Sequence, residues 1–355
     1  MKLIYKLLFF FLLYCGFLQS EDLVDLEEFP QEFVLESKQI CIAGYPDAFN
    51  PSIIRWEGNL LLSFRFIPDL KDKFVSSIGL LWLDEEFNPL GDPQILSFRE
   101  ENSNIPARID DLRLMEVAGK LYVVYSDNHH TVMTRGGFRV YVAELISSEK
   151  GFLVKGIECL SDFPGENPNR REKNWAPFDY QGSLCLAYSI MPHIIFYLVN
   201  GESRCECVAS TDFSVQWPWG ELRGGTSGIL DEGEYLAFFH SSTLMPSIHS
   251  EGSDVLHYFM GAYTFSAQPP FAITRISPEP IFGKGFYSGM SYTPYWKPVK
   301  VVFPCGFVLD KNYVWVAYGR DDHECWIVKL SKKELINSLN PVESRTSQHC
   351  LEEKL

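Results

Sequence analysis

The chain is 355 residues long, 46% hydrophobic and 15% aromatic, enough to bury one large core or two ordinary ones. Its formal net charge of −15 argues against nucleic acid as a partner, because phosphate binding needs a positive footprint. The 21 prolines and 25 glycines are scattered along the chain, which points to many turns.

Residues 1–20 read as a secretory signal peptide. Lys2 and Lys6 precede an apolar run from Leu7 to Leu18, and Ser20 is a small residue before cleavage. The run is shorter than the roughly 20 apolar residues of a membrane span. No later stretch is long and apolar enough to cross a bilayer, so no membrane span is expected after cleavage. Of the nine cysteines, eight would remain, and export permits disulfides among them. Cys205 and Cys207 form a CxC without a matching partner motif. His129-His130 reads as a solvated loop pair. No metal and no cofactor is expected.

From Asn50 onward the chain repeats a pattern: a short run, a glycine turn, then an alternating strand. The copies are Asn50–Arg65, Asp111–Ser126, Asn174–Ser189 and Gly225–His240. A fifth, Phe303–Gly319, is one residue longer and turns at Asp310. The turns at Gly58, Gly119, Gly182, Gly233 and Asp310 are separated by 61, 63, 51 and 77 residues. Further strands are predicted at Ser76–Asp84, Phe138–Leu145 and Val255–Phe265, and a helix only near 332–339. Two-strand repeats at these intervals predict an all-β, five-bladed β-propeller over 21–335, with a polar tail at 336–355. In an antiparallel hairpin the start of the first strand and the end of the second share one end. The polar residues that open and close each hairpin should therefore converge on one rim of the propeller, a suitable place for a ligand.

These hairpins resemble glycoside hydrolase family 130. Asp110-Asp111-Leu112-Arg113 is similar to that family's Glu-Asp-Pro-Arg run. Asn50-Pro51 through Arg65 resembles its Asn-Pro hairpin ending in Arg, and Lys173-Asn174 its Lys-Asn/Asp segment. The strand ending near His240 is similar to its Tyr-His-Gly strand. Phe303 to Asp322 looks like its closing signature, with Asp322 at the last acid. The resemblance covers most of the chain after about residue 45, with the motifs in order. It implies a five-bladed propeller acting on β-mannosides as a phosphorylase or a hydrolase.

By that resemblance Asp111 is the general acid, and Asn50, Arg65, Arg113, Asn174 and Asp322 are substrate-binding. To donate a proton near neutral pH, an Asp must be held protonated by burial or by a second carboxylate. Asp110 is adjacent, but on a regular strand it points to the opposite face, so Asp322 is the better placed partner. A phosphorylase would also need cations for inorganic phosphate, and the resemblance assigns Arg139, Lys173 and His240. An inverting hydrolase would need a base instead, for which Glu172, Asp231 and Glu324 are open choices. Leu112 and Asp110 stand where the family has Pro and Glu, and His193 where phosphorylases tend to carry Arg. Trp175, Trp217 and Trp219 are either sugar platforms or inter-blade core. The expected partner is a glycan, with inorganic phosphate if the reaction is phosphorolysis. Rival readings are a non-catalytic glycan-binding propeller, a glycosyltransferase using an activated sugar, and a protein-interaction platform.

Overall fold

The computed structural model describes residues 23–69, 71–72, 75–99, 107–128, 137–167, 169–199, 201–290 and 297–347; the expected signal peptide and His129-His130 lie outside them. The described strands form five sheets. The first contains Phe49–Trp56, Asn59–Phe66, Ser77–Leu83 and Pro89–Ile95, in that order. The second contains Asp110–Val117, Lys120–Asp127, Arg139–Ser148 and Gly151–Leu160. The third contains Ala176–Tyr180, Ser183–Ser189, His193–Val199 and Arg204–Asp212. The fourth is built on Glu234–Met245, Val255–Ser266 and Ile273–Ile276, with short pieces at Arg223–Gly224 and Ile229–Asp231 on its inner side. The fifth contains Val302–Leu309, Tyr313–Arg320 and Glu324–Ser331, and its outer strand is Val34–Gln39 from the start of the described chain. That strand closes the last sheet with residues from the opposite end of the sequence.

Packing arranges the sheets in a ring. The first and second share a core around Leu61, Leu80, Leu114 and Val123. The second and third share Val124, Val142, Leu186 and Phe196. Phe178, Cys185, Phe239 and Phe265 join the third to the fourth, and Phe238, Phe259, Val316 and Val328 join the fourth to the fifth. Leu62, Phe64, Ala317 and Ile327 close the circle between the fifth and first. Each sheet buries both faces against neighbours, which is the logic of a β-propeller. Trp175 is 1% exposed and meets Phe163, Tyr188 and Phe196 edge-on, so it belongs to the core. Trp217 packs on Phe239 and Trp219 on Phe259, and neither is a free platform.

The repeated hairpins follow from their turns. Glu57-Gly58, Ala118-Gly119, Gln181-Gly182 and Glu232-Gly233 all have positive φ at both positions. That is the two-residue primed turn whose twist matches the strands, and glycine at its second position adopts it without a steric cost. Eight residues before each of the first three glycines stands a second left-handed residue: Asn50 (φ 48°), Asp111 (φ 55°) and Asn174 (φ 65°). The register slips there, between Phe49 and Ser52 and between Asp110 and Arg113. These are β-bulges, which bend a strand and re-aim its side chains.

The expected tail at 336–355 is not separate in its first part. Helix α1, Lys332–Ser338, buries Leu335. Asn340–Pro341 then pairs with the fourth sheet and Arg345–Thr346 with the third. Leu339 is also buried, so apolar contacts hold this stretch on the propeller.

Candidate active site

The three left-handed residues and the ends of their partner strands meet at one end of the ring. Asn50 Nδ2 donates to Asp111 Oδ1 at 3.0 Å, joining the first sheet to the second. Arg65 forms an ion pair with Asp110 and lies 3.9 Å from Asp111. Lys173, from just before the third sheet, pairs with Asp110 at 2.5 Å. The expectation that Asp110 would face away from Asp111 fails, because the bulge breaks the alternation on which it rests.

Asp111 and Asp322 have opposite electrostatic fates. Burial penalises the Asp111 anion, but Lys173, Arg65, Arg113 and the Asn50 hydrogen bond together carry its pKa below the usual carboxylate value. These neighbours hold Asp111 toward its ionised form, whereas a general acid must carry a proton. Burial pushes Asp322 up to about 6; Asp111 and Asp110 add to the rise, against Arg65 and Lys173. Asp322 has a left-handed backbone, φ 56°, and stays partly accessible to solvent. It therefore holds a proton closer to neutral pH than an ordinary carboxyl group does, as does its buried neighbour Asp321, which burial pushes up to about 7.

Arg113 has a different task from the substrate contact first assigned to it. It is 1% exposed, and its guanidinium binds Gly225 O, Asp111 O at 2.8 Å, Gly224 O at 3.1 Å and Asn174 Oδ1 at 3.4 Å. It therefore ties the second, third and fourth sheets together beneath the carboxylates and positions Asp111 and Asn174.

The three expected phosphate ligands do not form one cationic group. Arg139, at the start of its strand, donates to Arg170 O at 2.8 Å and pairs with Glu166 at 3.5 Å. His240 is 2% exposed; burial, and then Arg113 and Arg223, hold its pKa well below the ordinary value. It is neutral, bonded to the Gly224 backbone, with Nδ1 unpartnered among the described residues. Only Lys173 reaches the carboxylates as a cation. Its ammonium also lies 3.9 Å from the centre of the Phe138 ring, with the Arg108 and Arg171 guanidiniums at 4.8 and 5.1 Å.

The candidate bases are engaged elsewhere. Glu172 is buried against Trp175 Nε1 and Arg170, which leaves its pKa raised by burial. Asp231 pairs with Lys332 near the hairpin turns, at the other end of the sheet. Glu324 is hydrogen-bonded by Arg320 and Trp326 and sits below its usual value despite burial. His193 lies in the core with Nδ1 2.8 Å from Phe271 O, and burial lowers its pKa to about 4.

Two further contributors were assigned no site role from the sequence, although Asp110 stands in the Asp110–Arg113 run. Asp110 is the anchor for both Arg65 and Lys173. Tyr258 lies within the electrostatic reach of Asp322, Asp111 and Arg223, and burial raises its pKa. It sits where the fourth sheet overhangs the rim, since Glu234–Met245 and Val255–Ser266 are 12 residues each. A cavity of about 720 Å³ opens at the opposite, hairpin-turn end, lined by Ile53, Leu114, Leu230 and Phe307 among others. None of the ionisable groups above lines it, so this cavity and the ionisable cluster lie at different ends of the axis.

No protein-family model matches the sequence, and no curated protein matches it. Solved structures do match. A glycosyl hydrolase from Bacteroides ovatus superposes with a TM-score of 0.58 at 16% identity, covering 90% of this chain and 96% of its own. The β-1,2-mannobiose phosphorylase from Listeria innocua, solved with β-1,2-mannobiose, gives 0.54 at 16% identity over 87% and 93%. A structure from the GH130 family of mannoside phosphorylases, described as containing hydrolases of β-1,2 mannosidic linkages in Candida mannan, gives 0.57 at 15% identity over 89% and 96%. Identities this low speak to architecture, and over nearly its whole length the chain has the β-propeller fold of the GH130 mannoside phosphorylases and hydrolases.

Proposed function

We propose that this protein is an exported enzyme, a five-bladed propeller with one blade per sheet, that cleaves glycosidic bonds of β-mannose-containing glycans. The observation that carries the reading is the opposed pair at the rim, Asp111 pushed down and Asp322 pushed up to about 6. Carboxylates whose environments separate their pKa values divide acid and base roles between them. A sugar leaving as an alkoxide needs a proton, and Asp322, raised toward neutrality, is the member of the pair that holds one. The Asp111 charge is among the causes that raise Asp322, so the two carboxylates interact across the rim. Asn50, Arg65, Lys173 and Asn174 surround the pair with donors suited to sugar hydroxyls. The fold shared with hydrolases and phosphorylases of glycans favours the same substrate class.

A second reading, phosphorolysis, is favoured by the three cations around Phe138. They stand beside Asp110 in an otherwise acidic protein and suit an oxyanion. The deciding experiment incubates the purified chain with β-linked manno-oligosaccharides, with and without inorganic phosphate, beside Asp111→Asn and Asp322→Asn. Free mannose irrespective of phosphate means hydrolysis. Mannose 1-phosphate formed only with phosphate means phosphorolysis. No product from any oligosaccharide under either condition would remove the enzymatic reading and leave a glycan-binding propeller.

A further inference from the structure

Asp322 sits in a turn of the fifth sheet that breaks the pattern of the other turns. Val302 faces Arg320 at the end of one pair of strands, and Arg320 faces Glu324 across the turn. His323 N–H donates to Arg320 O at 3.2 Å, and Asp321 (φ 52°) and Asp322 (φ 56°) between them are both left-handed. Two left-handed central residues make a primed turn, which ordinarily carries glycine. Gly58, Gly119, Gly182 and Gly233 meet that need in their own turns. Here two aspartates adopt the conformation, which a residue with a Cβ does only at a cost.

The Asp321 side chain offsets that cost by standing in for main chain. Asp321 N–H donates to Val301 O at 3.1 Å, the next rung after Val302 and Arg320. The return bond of that rung, from Val301 N–H, is taken at 2.9 Å by Asp321 Oδ1 in place of the main-chain carbonyl. Asp321 O is thereby released from the ladder and accepts from His323 Nδ1 at 2.9 Å. The backbone can leave the strand at Asp321 while Val301 keeps both of its bonds. The carboxyl group is 1% exposed and enclosed. The ammonium of Lys300, itself buried, lies 3.9 Å from Oδ2 and donates to Gly289 O at 2.6 Å. A Cβ at Gly289 would lie 2.7 Å from Oδ2, so that side is filled as well.

We propose that Asp321 is a positioning residue: its side chain, taking the place of its own carbonyl against Val301, locks the left-handed turn that presents Asp322 at the rim. The inference rests on the reading of Asp322 as a member of the acid pair. Asp322 follows Asp321 directly, so a turn that relaxes swings its carboxyl group away from Arg65, Asp111 and Lys173, with which it interacts.

The test compares Asp321→Gly, Asp321→Asn and Gly289→Ala with the parent chain, each checked for folding by circular dichroism. Glycine accepts the left-handed backbone but offers nothing to Val301 N–H, whereas asparagine keeps an acceptor. Alanine at 289 crowds Oδ2 from outside the turn. Carboxyl-carbon NMR follows Asp322. Its midpoint should fall by about one unit or more toward the ordinary carboxylate value in Asp321→Gly, move the same way in Gly289→Ala, and stay close to the parent's in Asp321→Asn. Turnover of β-linked manno-oligosaccharides should drop about 100-fold in Asp321→Gly, the order that a 1 Å misplacement costs, with KM little changed, and asparagine should recover most of that loss. A midpoint unmoved in Asp321→Gly and Gly289→Ala would overturn the positioning role, whether or not any oligosaccharide is cleaved. Equal shifts in the glycine and asparagine variants would overturn it too, because the charge and not the bond to Val301 would then carry the effect. A parent chain that cleaves nothing, with the midpoint displaced in Asp321→Gly and kept in Asp321→Asn, would remove the enzymatic reading and uphold the positioning of Asp322.

Discussion

Asp110 and Asp111 are adjacent in sequence, yet both carboxylates lie within ion-pairing range of the Arg65 guanidinium. A regular strand would send them to opposite faces. The left-handed backbone of Asp111 and the register slip beside it bring both to the rim, where one cation serves two anions.

Removing that cation tests the arrangement. Arg65→Met leaves Asp110 with Lys173 and leaves Asp111 with a weaker field. Arg65 is 6% exposed, so the loss is of a buried pair, about 3 kcal/mol of stability as an order of magnitude. Urea unfolding should show it, and NMR titration should show the Asp111 carboxyl moving up. A change within about 0.5 kcal/mol, the range of an ordinary surface substitution, would mean that Arg65 and the carboxylates are not coupled as described.

Asp322 gives a pH dependence of defined sign. Its folded pKa, about 6, lies above the ordinary 3.8, so the folded state binds the proton more tightly. The penalty is absent below pH 4, grows as pH rises, and is complete above about pH 7. A shift of about two units corresponds to about 3 kcal/mol at most. Asp322→Asn should therefore be more stable than the parent at pH 8 and equal to it near pH 4, while losing 100-fold or more in activity. Denaturation midpoints at both pH values check this. Equal destabilisation at both would show that Asp322 is not held against its charge.

The hairpins and their order were legible because turn chemistry and strand alternation are local. Gly58, Gly119, Gly182 and Gly233 mark turns whose backbone needs positive φ, and the intervals between them carry the repeat. The bulges were not legible. Asn50 and Asp111 are ordinary polar residues until the register slips beneath them, and Asn174 until its backbone turns left-handed. Nor could residue type alone say that His240 would be neutral or Arg113 committed to backbone carbonyls, since burial and neighbours from other sheets decide both. Tyr258 reaches the rim only because its strand runs on beyond it.

Arg113 should not tolerate lysine. Its guanidinium bonds to carbonyls from two directions and to Asn174, which a single ammonium cannot reproduce. Arg113→Lys is expected to cost about 3 kcal/mol, because buried acceptors lose their donors. Turnover should fall further than stability explains, because Asp111 and Asn174 lose their shared support. Comparing turnover well below the melting transition with the unfolding free energy separates the two effects. Parent-like turnover in the folded variant would remove the positioning role.

Gly319 controls Asn50 from the next sheet. A Cβ there would lie 2.1 Å from Asn50 Oδ1 and 2.9 Å from its backbone nitrogen. Gly319→Ala must therefore push the Asn50 side chain away, and with it the 3.0 Å bond to Asp111. Overpacking of this kind costs about 1–3 kcal/mol. If the damage to activity runs through Asn50, then Asn50→Ala already contains it. The double variant should lose less activity than the two single losses combined, the signature of coupled positions. Strictly additive losses in activity would mean that Gly319 acts through the fold of the fifth sheet and not through the carboxylate that Asn50 holds.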